Sequence, residues 1–282
     1  MHCAYNGWVS VATPATDSPV VSYRDIRIGF DEGEVLRGVS FDVHERETKV
    51  LVGETGTGKT LLLKMAAGLV RPNSGRVTVL GHEVSAMPEQ ELLDFRRQLG
   101  VVFQEGALFD SLSVRENVAY RLIEEGADLE EVENRVREAL RFVEMEHAIE
   151  QLPGELSGGM RRRVSIARAL ISRPPIVLYD SPTAGLDPVT AQTIITLILR
   201  LRDAYGVTAL LATHRIQDAF ALANFRFDAQ QQRVVPSATN GAGSEESRRT
   251  SFLVLRDGAV YFTGDQYAVR DSRDPYLQRF LV

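Results

Sequence analysis

Eight residues constrain this chain more than any others: GETGTGKT, Gly53 to Thr60, between the apolar run KVLV and the helically spaced LLLKMAAGL. The text matches G-x-x-x-x-G-K-S/T, and a strand before it with a helix after it is the context that motif requires. Glycines at 53, 56 and 58 let successive backbone N–H groups of Gly53, Glu54, Thr55, Gly56, Thr57 and Gly58 turn inward around phosphate oxygens. The start of the following helix adds a favourable dipole. Lys59 is then placed to reach the β- and γ-phosphates, and the Thr60 hydroxyl to face Mg²⁺. Only two other lysines occur, Lys49 and Lys64, so Lys59 is not one of a crowd.

A cradle of this kind needs a carboxylate opposite it. IVLYD, residues 176–180, is an apolar strand ending in Asp180, at the strand end where open α/β sheets bind ligands. Asp180 is expected to hold Mg²⁺ through water. Around it, IVLYD, a helix from Pro188 to Tyr205, VTALLAT and a further helix from about Arg215 alternate in the β-α-β-α order of a parallel sheet. The net charge of −6 argues against broad nucleic-acid binding, although Arg161, Arg162 and Arg163 form a local basic cluster. A single cysteine, Cys3, allows neither an internal disulfide nor a cysteine metal site, which suits a reducing compartment. No apolar run reaches the roughly 18 to 20 residues of a membrane span, and residues 1–22 lack the basic start of a secretory signal.

The rest of the chain divides by composition. Residues 1–20 read as a loose tail, with Trp8 making at most a local contact. VSFDVHERETKVLVG, 39–53, reads as two short strands around a polar turn. Residues 84–164 are charged and mainly helical; in DLEEVENRVREALRFVE the spacing of Val132, Val136, Leu140 and Val143 predicts one buried stripe. Residues 227–250 are polar and turn-rich and read as a mobile insertion. Two β runs around Asp257-Gly258 predict a hairpin.

Just before IVLYD lies ELSGGMRRRVSIARAL, 155–170. On its own, Ser157 followed by two glycines at a helix start is as well explained by a simple N-cap. In this order and spacing, Leu156, Ser157, Gly158, Gly159 and Met160 resemble the signature of ATP-binding cassette (ABC) ATPases, and the resemblance runs over about 20–226 and 251–282. It implies ATP as substrate with Mg²⁺, and an α/β P-loop NTPase fold of ABC type with a mainly parallel sheet core, an antiparallel β subdomain and an inserted helical subdomain. The limits would be a core of 21–83 and 165–282 around a helical part at 84–164. By the same resemblance Gln104 touches Mg²⁺, Asp187 in TAGLDP meets the second subunit, and His214 contacts the γ-phosphate. The signature would face the cradle of the other subunit in a homodimer or a pair of ABC subunits. Phe30 resembles the aromatic that stacks on adenine; Tyr23 competes for that role, and a plain core position for Phe30 is the other reading.

FQEGALFDSLSVRENVAYRL, 103–122, is similar to the matching region of ATPases from Mla and Mce-type lipid transporters, as are SGGMRRRV and the ending DPYLQRFLV. This likeness implies a subunit on the inner face of the cytoplasmic membrane beneath a permease, with MCE-domain and STAS-domain subunits as further partners, no nucleic acid, and a phospholipid or other hydrophobic cargo. Leu108, Phe109 and Leu112 would meet the permease, unless they pack within the helical part. In the family pattern the residue after Asp180 is a glutamate that polarises the attacking water; here it is Ser181. Three accounts fit: Ser181 holds the water by hydrogen bond and hydrolysis is slow but real, helped by another nearby carboxylate, with Glu105 as candidate; an ATP-binding switch with little hydrolysis, acting as a regulatory subunit or with an active partner; or a substitution introduced to trap the ATP-bound state.

Overall fold

The computed structural model describes residues 18–31, 33–237 and 249–278. Its centre is a six-stranded sheet in the order β12-β11-β3-β8-β7-β6. Five of these strands, β3 (Thr48–Val52), β6 (Leu99–Val102), β7 (Ile176–Asp180), β8 (Thr208–Thr213) and β11 (Thr250–Arg256), run parallel, and β12 (Ala259–Gly264) closes one edge antiparallel. Parallel strands covered on both faces should be apolar throughout. Accordingly TKVLV in β3 and TALLAT in β8 are buried at every position.

Side chains alternate across the sheet and so sort into two cores. Val50, Val52, Val177, Tyr179, Leu211 and Val254 face one core, with α5 (Gly158–Leu170), α6 (Pro188–Tyr205) and α7 (Ile216–Asn224). Leu51, Ile176, Leu178, Leu210 and Leu253 face the other, with α1 (Lys59–Ala66) and α2 (Glu89–Arg96). This second core is shared with an antiparallel sheet, β2-β1-β4-β5, built from β1 (Val21–Phe30), β2 (Gly33–Val43), β4 (Ser74–Val79) and β5 (His82–Glu83). In β1 the buried residues pass from Tyr23 to Ile26, a spacing of three, because the register shifts there and Asp25 takes a positive φ of 47°. The irregularity keeps the apolar face on the core.

Within 84–164, read above as mainly helical, β6 is a sheet strand, too short and too ordinary in composition to stand out. The helices α3 (Val114–Glu124) and α4 (Leu129–Phe142) pack with α5. Ser113 opens α3 with a reciprocal capping box to Glu116, and Asp128 caps α4. The stripe Val132, Val136, Leu140 and Val143 is buried as its spacing predicted.

Residues 227–236, the first part of the stretch 227–250 read above as a mobile insertion, lie in or between paired strands. β9 (Phe225–Asp228) and β10 (Arg233–Pro236) pair antiparallel, and β9 packs on α6. Residues 238–248, like Trp8 and the rest of 1–17, lie outside the described residues. The pair is fastened by a buried ion pair, Arg202 with Asp203, whose side chains are 4% and 3% exposed. Arg202 donates to the carbonyl oxygens of Leu222 (2.6 Å) and Phe225 (3.0 Å) and to Thr250 Oγ1 (2.8 Å). Asp203 accepts from Phe227 N–H at 2.7 Å. Removing one member of such a pair strands a buried charge. Asp203→Ala is therefore expected to cost about 3 to 5 kcal/mol in urea unfolding, with early hydrogen exchange in 225–236. Unchanged stability would mean that the pair does not fasten this segment.

Candidate nucleotide-binding site

Parallel pairing aligns the carboxyl ends of four neighbouring strands. Val52 sits beside Thr213, Ala212 beside Asp180, and Tyr179 beside Val102. The residues that follow these ends, the cradle after β3, His214 after β8, Asp180 and Ser181 at β7, and Gln104 after β6, are thereby gathered along one sheet edge.

The cradle's glycines are required by space as well as by conformation. Gly58 caps α1 at φ 94°, and a Cβ there would lie 2.4 Å from Leu36 Cδ2. A Cβ on Gly53 would lie 2.8 Å from the carbonyl oxygen of Leu255. Gly56 has φ 87°. Glu54, Thr55 and Gly56 are exposed on the rim, and no acid occupies the first turn of α1 to compete with an anion. The Lys59 ammonium is buried and donates to the carbonyl oxygens of Gly53 (2.8 Å) and Glu54 (2.7 Å). Burial pushes its pKa down, while the Asp180 and Glu54 carboxylates oppose the shift. A cation held by loop carbonyls in a partly dehydrated pocket is suited to a polyphosphate.

Thr60 Oγ1 donates to Asp180 Oδ1 at 3.1 Å, across 120 residues of sequence. These two oxygen donors fit Mg²⁺, which favours one or two protein oxygens with phosphate and water completing its shell. Among the described residues no cluster of three His, Cys, Asp or Glu offers a competing all-protein metal site. Gln104 is exposed beyond β6, on the neighbouring strand to Asp180.

The signature opens α5. Ser157 is its N-cap, with Oγ accepting from Met160 N–H at 3.2 Å, so the cap reading and the signature text hold together. Ser157 and Gly158 are exposed, Leu156 and Gly159 buried, and Met160 half-buried. Among the described residues no hydrogen bond joins 156–160 to the cradle of the same chain. Asp187 caps α6, accepting from the N–H groups of Val189 and Thr190 at 3.0 Å, and the Thr190 hydroxyl together with these bonds holds its pKa below the usual carboxylate range. His214 is exposed past β8. Phe30 is 58% exposed at the end of β1, which removes the plain core reading. Tyr23 is corrected as an adenine candidate: fully buried, it stacks on Phe41 at 4.4 Å and donates its hydroxyl to the Leu62 carbonyl at 2.7 Å.

Ser181 has φ 47°, donates its N–H to the Ala212 carbonyl at 2.8 Å, and is followed by the buried Thr183. Thr183 donates to the Asp218 carboxylate, which Thr213 Oγ1 also approaches at 3.5 Å. Asp218 is buried, and desolvation pushes its pKa up. It links the loop after β7 to the residue before His214, a contact that no local pattern announces.

Comparisons with known proteins decide the family. The profile described as "ABC transporter" matches residues 36–184. The chain belongs to the ABC transporter family. It is similar to the methionine import ATP-binding protein MetN of Brucella abortus, 36% identical over 203 residues, 72% of this chain and 55% of the relative. The protein TRIGALACTOSYLDIACYLGLYCEROL 3, chloroplastic, of Arabidopsis thaliana is 33% identical over 277 residues, 94% of this chain and 74% of the relative. The chain thus spans about half the length of the MetN relative. The ATP-binding cassette MJ0796, solved as a dimer in a post-hydrolysis state with ADP and Pi, is 29% identical with a TM-score of 0.71, covering 87% of this chain and 98% of that one. These likenesses agree with the P-loop ABC fold, a parallel core with an antiparallel sheet and helices. The family's cassettes hydrolyse ATP to ADP and phosphate.

Gly159 gives a direct test of this ABC cassette's signature packing. A Cβ there would lie 2.3 Å from Thr190 Cγ2, but 3.5 Å from Thr190 Cβ. Gly159→Ala is expected to cost about 1 to 3 kcal/mol by overpacking α5 against α6. Adding Thr190→Ser removes the offending methyl while keeping the hydroxyl, and should restore most of that loss in thermal melting. Equal damage with and without Thr190→Ser would refute this packing.

Proposed function

We propose that this chain binds ATP with Mg²⁺, pairs with a second ABC subunit and drives a membrane permease that moves phospholipid or another hydrophobic molecule. The observation that carries the nucleotide part is the Thr60 to Asp180 hydrogen bond, which joins the phosphate cradle to the strand-end carboxylate. Residues 53–60 would hold the phosphates, Lys59 neutralising the β- and γ-groups. Thr60, Asp180 and Gln104 would hold Mg²⁺. Phe30 would stack on adenine, and His214 would contact the γ-phosphate. Residues 156–160 would close on the partner's ATP, with Asp187 at the subunit contact. Among the described residues no helix is long and apolar enough to cross a membrane, so membrane attachment would come through the permease.

The lipid assignment is supported by the text of 103–122 and by a relative named for a glycerolipid that aligns over 94% of this chain. The MetN likeness, over 72%, favours methionine as the competing cargo. The geometry of 103–113 suits a docking role: Phe109 is exposed with its ring 4.8 Å from that of Tyr120, and Leu108 and Leu112 are half-buried beside it. Asn117 is fully buried and binds the backbone of Phe109, Leu112 and Ser113, giving the loop a fixed shape. MCE-domain and STAS-domain proteins are the further partners this reading expects.

Ser181 favours a second account, an ATP-gated switch with little turnover. Phosphoryl transfer depends mainly on positioning and charge, which this site keeps, while losing a positioned base costs on the order of 10² to 10⁴ in rate. Phosphate release by the full chain is expected to rise by about that factor in Ser181→Glu. Equal rates would reject the impaired-base idea. If the residual activity uses Glu105, Glu105→Gln abolishes it, and an unchanged rate removes Glu105 from the reaction. Isolating the chain from native membranes in detergent should recover a permease with glycerolipid. A permease complex whose phosphate release responds to methionine and not to lipid would overturn the cargo assignment.

A further inference from the structure

The signature helix α5 carries a buried arginine that the nucleotide site does not account for. Arg162 is 5% exposed, five residues past the cap Ser157. Its Nη1 donates to the Phe103 carbonyl at 3.0 Å and to the Ser181 carbonyl at 3.3 Å, and its Nη2 donates to the Gln104 carbonyl. None of these bonds is to a carboxylate. Burial disfavours the charge, and Asp180 and Glu105 oppose that at longer range. A buried charge is costly to keep unless its geometry is required. What this geometry does is tie together three segments with separate tasks: the Gln104 segment, the strand-end residue at 181 and the helix that presents Ser157.

We propose that Arg162 is the positioning residue that couples the γ-phosphate side of one site to the signature presented to the other. The inference rests on the paired-subunit reading above. Residue 181 is fixed on its other side by its N–H bond to Ala212 of β8, the strand that leads to His214. A displacement at 181 or 104 therefore reaches α5 through one rigid, planar group with donors on two sides. α5 also approaches the same segment elsewhere: Arg168 donates to the carbonyl oxygens of Gly106 (2.9 Å) and Ala107 (2.7 Å). The two arginines thus grip 103–107, which has no regular secondary structure past Val102, so that the segment and the signature helix move as one body. Among the described residues, Arg162 is the side chain of α5 that adds residue 181 to that body.

The test uses the full chain with ATP and Mg²⁺, following dimer formation by light scattering and nucleotide affinity with a fluorescent ATP analogue. Wild type is the starting point, since the slow turnover proposed above for Ser181 would preserve the ATP-bound state. Arg162→Gln is expected to weaken ATP-driven dimerisation at least tenfold while nucleotide affinity stays within about twofold. Arg162→Lys, which keeps the charge but offers one ammonium in place of the two-sided fork, should lose most of the same coupling with a wild-type melting temperature. If Arg162→Gln does not fold, Arg162→Lys decides by the same measure. Dimerisation of Arg162→Lys at wild-type strength, or a parallel loss of nucleotide affinity in either folded variant, overturns the proposal. A wild type that binds ATP and stays monomeric overturns the paired-subunit reading itself.

Discussion

Parallel, in-register pairing of β3, β8, β7 and β6 is the constraint on which the rest of this molecule depends. The pairing requires crossover connections, so each strand's successor starts from the same edge of the sheet. The cradle, His214, Asp180 with Ser181, and Gln104 are far apart in sequence and become neighbours only through this alignment. The cost is that all four strands are buried on both faces, which is why their text is almost wholly apolar and why the polar chemistry is confined to the residue at or just after each strand end.

Much of this was legible because the motifs are local. A phosphate cradle needs glycines, a lysine and a hydroxyl within eight residues, and the sequence between Gly53 and Thr60 has no other use for that combination. The stripe on α4 was likewise readable, since helical periodicity is a property of neighbours. Asp218, Asn117 and Arg162 were not, because each acts on backbone or side chains brought to it by the fold. Their residue types gave no warning: three successive arginines read as one local basic cluster, yet Arg162 is buried while Arg161 and Arg163 are half-buried. Tyr23 failed in the opposite direction. An aromatic near the start of a strand can serve adenine or the core, and the register of β1 puts it inside.

The strand pair 225–236 shows why polar composition misleads. Its middle, DAQQQR, is polar, while Phe227 enters the core and Val234 packs against it. Arg202 of α6 adds the polar anchor. One guanidinium reaches the carbonyl of Leu222 and that of Phe225, at the start of the segment, and Thr250 where β11 resumes, while its aspartate neighbour takes the Phe227 N–H. The start of β9 and the start of β11 are thus tied to the same buried ion pair, and β11 keeps its register against β3.

The same logic bears on Ser181. A left-handed backbone at a residue other than glycine costs roughly 1 to 2 kcal/mol and persists only where the surroundings impose it. Here they act on the main chain of Ser181: its N–H donates to Ala212, and its carbonyl accepts from the Ala184 N–H and the Arg162 guanidinium. Nothing in that arrangement involves the side chain. Exchanging an acid for a hydroxyl at this position therefore leaves the backbone, the Asp180 carboxylate and the link to α5 where they are, and removes only the reach and basicity of the side chain. The backbone at 181 is thus held by contacts that any L-residue could make, and the choice of side chain there is free of the Thr60 to Asp180 contact across the sheet edge.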